Sequence, residues 1–264
     1  MRKSRTAFSA LPLQSLDNTV IRQRCLSSDH RQQYRRYPVR LLRYWFMHQL
    51  LQEEWQHRGP LAVCEFGVDR GQMLSFAREA AAQENGGQQP AWLQTWDAVD
   101  VRLQESELHA AGYERLVALN LETDALPADM RCRYDVIILL HVLEHLQDPE
   151  AVLDRVTDAL KPGGIIIGGM PVLPHALLGW REGILRRKAA THGHVSAFSP
   201  QRMRSWAQRF GLHEEFCSGG FFLRSKRLWL EDQQWWIRLN LRFGARCPWW
   251  PGEFYWSFRR PLQQ

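Results

Sequence analysis

The sequence predicts an α/β domain built on a central, mostly parallel sheet with helices on both faces. Three observations carry this. Short apolar runs alternate with helical patterns from residue 61 to about 171, which implies right-handed crossovers between parallel strands. Val136–Leu140 and Ile165–Ile167 are unbroken apolar runs, as strands buried on both faces require. A glycine-bearing turn, Gly67–Gly71, joins the first strand to the helix that follows it.

The elements follow in order. Residues 1–36 are polar and Arg-rich and are expected to be partly ordered at best. Pro38 opens a helix to about His57, with Leu41, Leu42, Trp45, Phe46, Leu50 and Leu51 at helical spacing, and Gly59-Pro60 stops it. Leu61–Phe66 is the first strand and Gln72–Gln83 an Ala-rich helix. Glu84–Pro90 reads as a loop. Trp96–Val101, Arg115–Leu119 and Tyr134–Leu140 are the next three strands. Pro149–Leu160 is an amphipathic helix with Val152, Leu153, Val156 and Leu160 on one face. Pro162-Gly-Gly164 then turns the chain into a fifth strand, Ile165–Gly168. Beyond Pro171 the alternation loosens. A basic amphipathic segment (Leu177–Lys188), a helix near Pro200–Phe210, and strands at Leu212–Ser218 and Glu253–Phe258 complete a seven-stranded sheet. A helix from an N-cap at Asp232 to Phe243 would align Trp235, Trp236, Leu239 and Phe243, flanked by Arg238 and Arg242 and ended by Gly244.

Composition narrows the function classes. With 45% apolar and 23% charged residues, the 264-residue chain is neither disordered nor of low complexity. Its apolar runs are far shorter than the roughly 18–20 residues that span a bilayer, and no signal-peptide core follows the basic N-terminus, so a cytoplasmic location is expected. Five cysteines at odd spacing suggest neither a disulfide framework nor a zinc site, and no metal centre is expected. Charge is segregated. Residues 1–60 hold 11 Lys/Arg against 4 Asp/Glu, residues 61–170 hold 8 against 18, and residues 171–264 hold 15 against 6. An acidic middle between two basic arms suits an anionic partner.

The chemistry-bearing positions lie at strand ends. Glu65-Phe-Gly67-Val-Asp69-Arg-Gly71 is an acid-x-Gly-x-x-x-Gly turn whose glycines let the backbone approach a ligand. Glu65 and Asp69 would repel a pyrophosphate, so a nucleoside without phosphates fits better. Asp100 closes the second strand, where an acid grips ribose hydroxyls. Asn120-Leu-Glu122 closes the third, where an amide or carboxylate can meet an adenine edge. His141-Val-Leu-Glu144-His145-Leu-Gln-Asp148-Pro149 follows the fourth, and Leu160-Lys-Pro-Gly-Gly164 precedes the fifth.

Together these motifs resemble the class I S-adenosylmethionine-dependent methyltransferases, in the small-molecule group with a Leu-Glu-His … Leu-Lys-Pro-Gly-Gly signature. The resemblance covers residues 60–171 and extends loosely through His192-Gly-His194-Val-Ser-Ala-Phe-Ser199 to Gly211. It implies a Rossmann-like fold and S-adenosylmethionine as cofactor. It divides the chain into a basic N-terminal extension with one helix (1–58) and a methyltransferase domain (59–264). In that domain, 60–171 form the cofactor half and 172–264 the acceptor-side and Trp-rich decoration. It implies that Glu65, Gly67 and Gly71 lie under the methionine part of the cofactor. Asp100 binds the ribose, with Val101 beside the adenine. Asn120 faces the adenine amine, with Leu121 adding backbone or apolar contact. His141 lies near the methionine amino group and the reacting methyl. The sequence departs from the family at Asn120, where aspartate is usual, and in Glu84–Leu93, which reads as an insertion.

A hydroxyl acceptor that is not already ionised needs a base. His194, His145, His192 and His141 are of the right type; His194 is preferred, because the matching family segment borders the acceptor site. Six of the twelve tryptophans (Trp229, Trp235, Trp236, Trp249, Trp250 and Trp256) lie near the C-terminus among arginines. That composition suits an anionic or amphiphilic acceptor, such as an envelope glycan, lipopolysaccharide or lipid-linked precursor, with peripheral membrane contact. Arg31–Arg35 and Arg36–Arg40 have the Arg-x-x-x-Arg spacing of cyclic-dinucleotide receptors, but the receptors' second element is missing. Leu139-Leu-His-Val stands where nucleic-acid methyltransferases carry Asn-Pro-Pro-Tyr, which argues against a nucleic-acid acceptor. A small-metabolite O-methyltransferase and a catalytically silent binding module on the same fold are the alternatives.

Overall fold

A computed structural model describes residues 38–84, 93–187, 193–223, 230 and 234–262. The Arg31–Arg35 spacing, the insertion-like loop, Asp232 and His192 lie outside the described residues. Seven strands form one sheet: β1 (Leu61–Phe66), β2 (Leu93–Asp100), β3 (Leu116–Ala118), β4 (Tyr134–Leu140), β5 (Leu160–Val172), β6 (His213–Gly219) and β7 (Gly252–Arg259). Their order is β3-β2-β1-β4-β5-β7-β6. The first five run parallel, and β7 pairs antiparallel with both β5 and β6. The α-helices among the described residues are α1 (Pro38–Arg58), α2 (Gln72–Glu84), α3 (Glu105–Ala111), α4 (Pro149–Thr157), α5 (Leu178–Arg187), α6 (Pro200–Arg209) and α7 (Gln234–Arg246).

The apolar spacing of α1 explains its place. Leu41, Leu42, Trp45, Phe46, Met47, Leu50 and Leu51 are all buried, in one core layer with Val63, Val136 and Ile165. The Phe46 ring stacks on Tyr255 of β7 with centroids 4.2 Å apart. Arg58, in the last turn, donates to Gly163 O at 2.5 Å and pairs with Asp135 at 3.2 Å. A cation at a helix C-terminus complements the dipole. The opposite core layer holds Val152, Leu153 and Val156 of α4 and Met203 and Trp206 of α6. α4 is capped by Asp148, which accepts from Ala151 N at 3.1 Å.

Four elements differ from the sequence pattern, one of them the short helix α3, which the apolar spacing did not mark. β5 runs from Leu160 to Val172 instead of Ile165–Gly168, because its far end pairs with β7 from Gly168↔Trp256 to Val172↔Gly252. That pairing is long-range and leaves no local signature. α4 stops at Thr157, and Leu160 pairs with Tyr134 of β4, so it opens a strand rather than closing a helical face. α7 passes through Gly244 to Arg246, and its buried residues are Trp236, Ile237, Asn240 and Leu241, while Trp235 and Leu239 face outward. Gly244 is a docking position and not a stop: a Cβ there would overlap the Gly219 carbonyl at the end of β6. Gly244→Ala is therefore expected to push α7 off β6 and to lower stability by ~1–3 kcal/mol, the usual cost of overpacking, read as the urea midpoint. An unchanged midpoint would mean that the helix is not seated there.

Cys64, Cys132, Cys217 and Cys247 are free thiols. Among the described residues, no helix is long and apolar enough to cross a membrane.

Candidate functional site

β1 is flanked by β2 on one side and β4 on the other, so the connections leaving its C-terminal end diverge. In open α/β sheets a crevice forms at that switch point. Here a cavity of about 920 Å³ opens there. Seven of the ten expected site residues line it: Gly67, Asp100, Val101, Asn120, Leu121, His141 and His145. Each sits at or just past the end of a parallel strand, which is why the topology gathers them.

Gly67 sets the floor. Its φ is +76°, its N–H donates to Val99 O at 2.8 Å, and a Cβ would overlap the Val142 side chain. Asp100 stands on the wall. Its Oδ2 accepts from Asp69 N at 3.2 Å and its Oδ1 from Arg102 N at 3.0 Å, so two turns hold the carboxylate in one orientation. Asn120 is likewise pre-set: its Oδ1 accepts from Glu122 N at 2.9 Å, and Asp124 accepts from its backbone N–H at 2.9 Å. Leu119, Val142 and Leu146 supply apolar wall.

A smaller cavity of about 200 Å³ adjoins it and shares Gly67, Asp69 and His141. Glu65 lines this one rather than the larger. Its Oε2 accepts from Tyr113 Oη at 2.5 Å and from Trp96 Nε1 at 3.2 Å. Burial pushes its carboxyl up to about 8, against the opposing pull of those two donors. Gly71 lines neither cavity. With φ +73°, it lets the start of α2 pass close to the Tyr113 ring.

His141 has a left-handed backbone, φ +58°, uncommon outside glycine, held by its N–H donating to Gly169 O at 2.8 Å. Its ring lies 2.9 Å from Glu144 Oε1 and 3.8 Å from Glu253 Oε2. Burial and the Arg43 charge lower its affinity for a proton, but the two carboxylates more than offset them and hold it above the ordinary histidine range. Glu144, though buried, is held below its ordinary range by that imidazole. His194 sits between the cavity-lining Gly193 and Val195, its ring 4.9 Å from that of His145. Burial, then the neighbouring cationic groups against Glu144, leave it below the ordinary histidine value.

Two residues of the site escaped the sequence pattern. Arg43 of α1 reaches the small cavity and pairs with Glu253 of β7 at 3.5 Å, while its buried Nε has no partner. Burial opposes its charge, but Glu253, with Tyr44, Tyr255 and Glu144 behind it, more than offsets that and keeps it cationic. Three side chains also converge closely enough to hold a metal ion: Glu144, His145 and His194 each offer a ligand atom, all within 4.8 Å of one another. Glu144 Oε2 is buried without a hydrogen-bond partner.

A family model described as a methyltransferase domain matches residues 31–213, more than half of the chain. The chain belongs to the methyltransferase domain family. Its fold is that of class I S-adenosylmethionine-dependent methyltransferases, as its motifs implied. The chain is 25% identical over 142 residues to a protein named ubiquinone biosynthesis O-methyltransferase from Leptothrix cholodnii, covering 51% of this chain and 60% of that protein. To the protein of the same name from Idiomarina loihiensis it is 27% identical, covering 61% and 65%. The chain thus spans less than two thirds of the length of these relatives. The solved structure of the N-methyltransferase NodS from Bradyrhizobium japonicum, in complex with S-adenosyl-L-homocysteine, superposes with a TM-score of 0.51. Identity is 15%, over 92% of this chain and 97% of that one. A structure from Galdieria sulphuraria, provisionally assigned as a sarcosine dimethylglycine methyltransferase, gives 0.54 at 14% identity, over 83% and 85%. These two likenesses establish the fold.

The cofactor of this methyltransferase is S-adenosylmethionine, and the residues present fit it. The floor at Gly67 has no room for a side chain, an oriented carboxylate stands on the wall, and a half-buried guanidinium whose buried Nε–H is unused lines the adjoining cavity.

Proposed function

We propose that this methyltransferase transfers the methyl group of S-adenosylmethionine to an oxygen of a small, amphiphilic acceptor. The observation that carries the proposal is the Asp100 carboxylate, fixed by two backbone N–H groups, facing a cleft at the switch point of the sheet. When bound, the cofactor supplies a methyl group on a sulfonium, which leaves as a neutral thioether. Asp100 would accept from both ribose hydroxyls. Leu119, Leu121, Val142 and Leu146 offer apolar contact to the adenine, and the second lone pair of Asn120 Oδ1 stays able to accept from its amine. Arg43 and the His141 imidazole make the small cavity a seat for the carboxylate of the methionine part, with Glu65 and Asp69 nearer its ammonium.

An oxygen nucleophile loses a proton as its bond to carbon forms. His194, whose affinity for a proton is lowered by burial, stands between two residues that line the cleft, so it would take that proton, with His145 against it. The relatives' name specifies an O-methyltransferase, which supports oxygen as the accepting atom. Among acceptors, an amphiphile suits that name and the Trp-rich tail better than the glycan or lipopolysaccharide suggested by the tail's composition alone. Transfer of labelled methyl from the cofactor to extracted lipids and small phenols tests the proposal. His194→Asn is expected to slow it by ~10²–10⁴-fold with little change in cofactor affinity. Cofactor binding without transfer to any fraction would instead favour the silent module.

The unpartnered Glu144 Oε2 supports a second reading, in which Glu144, His145 and His194 hold a divalent cation that polarises the acceptor oxygen. Chelation separates the two. Transfer that persists after EDTA treatment is the outcome expected for a histidine base; loss on EDTA with recovery on adding magnesium or zinc would assign the trio to the cation.

A further inference from the structure

We infer that the outer face of α7, with the turn that follows it, docks on the surface of an anionic lipid bilayer. From Gln234 to Gly252 the chain carries Arg238, Arg242 and Arg246, four residues apart, and no acidic residue. Trp235 and Leu239, also four apart, are 55% and 46% exposed. Residues at i and i+4 share a helix face, so the helix presents an indole, a leucine and cations side by side. The turn adds Trp249 and Trp250, and the neighbouring loop adds Phe222 and Leu223, all exposed.

This face is preformed. Phe222, Phe243 and Trp250 pack ring against ring, with centroids 4.7–6.0 Å apart. Trp250 Nε1 donates to Phe222 O at 2.8 Å. Asn240 Oδ1 accepts from Phe222 N at 2.8 Å, which ties the loop to the helix. The inner face of α7 is spent on the core through Trp236, Ile237 and Leu241. What remains outside is indole and guanidinium, which sit well at a headgroup layer: the rings enter the interface and the cations meet anionic lipid.

Position adds a second argument. The turn leads into β7, whose first residues Gly252 and Glu253 pair with Val172 and Pro171 at the C-terminal end of β5. That is the end of the sheet that carries the cleft, and Glu253 stands beside His141 there. Just past the same end of β5, Leu177 and Trp180 are also exposed. A bilayer at this end would bring an amphiphile to the cleft. Charge argues against a second copy of the chain as occupant, since a two-fold contact through this face would set three arginines against three.

Co-sedimentation of the full chain with vesicles tests this without reference to methyl transfer. The chain is expected to bind vesicles of phosphatidylcholine mixed with phosphatidylglycerol, to bind phosphatidylcholine alone weakly, and to be released by salt. The triple change Arg238→Ser, Arg242→Ser, Arg246→Ser should weaken binding about a hundredfold, and Trp235→Ser with Leu239→Ser about tenfold or more. Unchanged calorimetric binding of S-adenosylhomocysteine would show that each variant is folded. No binding to the anionic vesicles, or binding that survives both variants, overturns the inference. So would a dimer in sedimentation that Trp235→Ser dissolves, which would assign the face to a second copy. Because the cofactor titration is separate, failure of vesicle binding leaves the reading of the cleft intact, and the reverse also holds.

Discussion

Asp100→Asn is expected to weaken S-adenosylhomocysteine binding by about a hundredfold in calorimetry, with a thermal midpoint within a few degrees of the parent protein. The carboxylate offers both oxygens in a fixed plane, and a hydrogen bond to a charged group contributes ~1.5–3 kcal/mol. Asparagine keeps one acceptor and loses the charge. Its amide nitrogen would also face the Asp69 N–H that now donates to Oδ2, so the turn after β1 loses its anchor. Both effects fall on the cleft and neither on the core, because the contacts of Asp100 are exposed. An affinity within threefold of the parent would remove Asp100 from the ribose and with it the carrying observation of the proposed function. A large loss of stability would mean that the carboxylate serves the fold first.

The cofactor side of the cleft was legible because its residues follow local grammar. Gly67, Asp100, Asn120 and His141 each close a parallel strand, and a sheet with a switch point gathers such ends without further information. Arg43 and Glu253 obey no such rule. They lie 210 residues apart, on the first described helix and the last strand, and only the packing of α1 across the sheet brings them to His141. Glu144 and His145 stood in a recognised motif, yet their convergence with His194 depends on the loop before α6 folding back: Val195 N and Ser196 N both donate to Glu144 O. The outward turn of Trp235 and Leu239 was hidden for a different reason. An amphipathic pattern shows which residues share a face, but in α7 both faces carry large apolar side chains, and it is the face with Gly244, seated against Gly219, that is buried.

Glu65 supplies the other large effect, on stability and its dependence on pH. A carboxyl whose folded value is about 8 against an ordinary 4.5 binds a proton in the native state over a range where the unfolded chain has released it. Stability therefore falls as pH rises through that window and levels off above it. At ~1.4 kcal/mol per pH unit, the span from 4.5 to about 8 amounts to ~5 kcal/mol, a large part of a typical domain's stability. Glu65→Gln should remove this slope. Both donors, Tyr113 and Trp96, point at one oxygen, so the amide carbonyl can take both bonds while the NH₂ stands where the proton was. Denaturant midpoints measured from pH 5 to about 8.5 are expected to fall for the parent and to stay nearly flat for the variant, leaving the variant the more stable protein at the alkaline end. Parallel curves would mean that Glu65 is ionised in the fold throughout. A buried acid that weakens the protein at neutral pH has a reason to be there only if something bound beside it repays the cost. Glu65 lines the cavity that takes the cofactor's ammonium in the proposed pose, and a cation there favours the ionised form. The same Glu65→Gln change that steadies the empty protein should therefore loosen its hold on S-adenosylhomocysteine, and the two effects measured together distinguish a site residue from a misplaced core carboxyl.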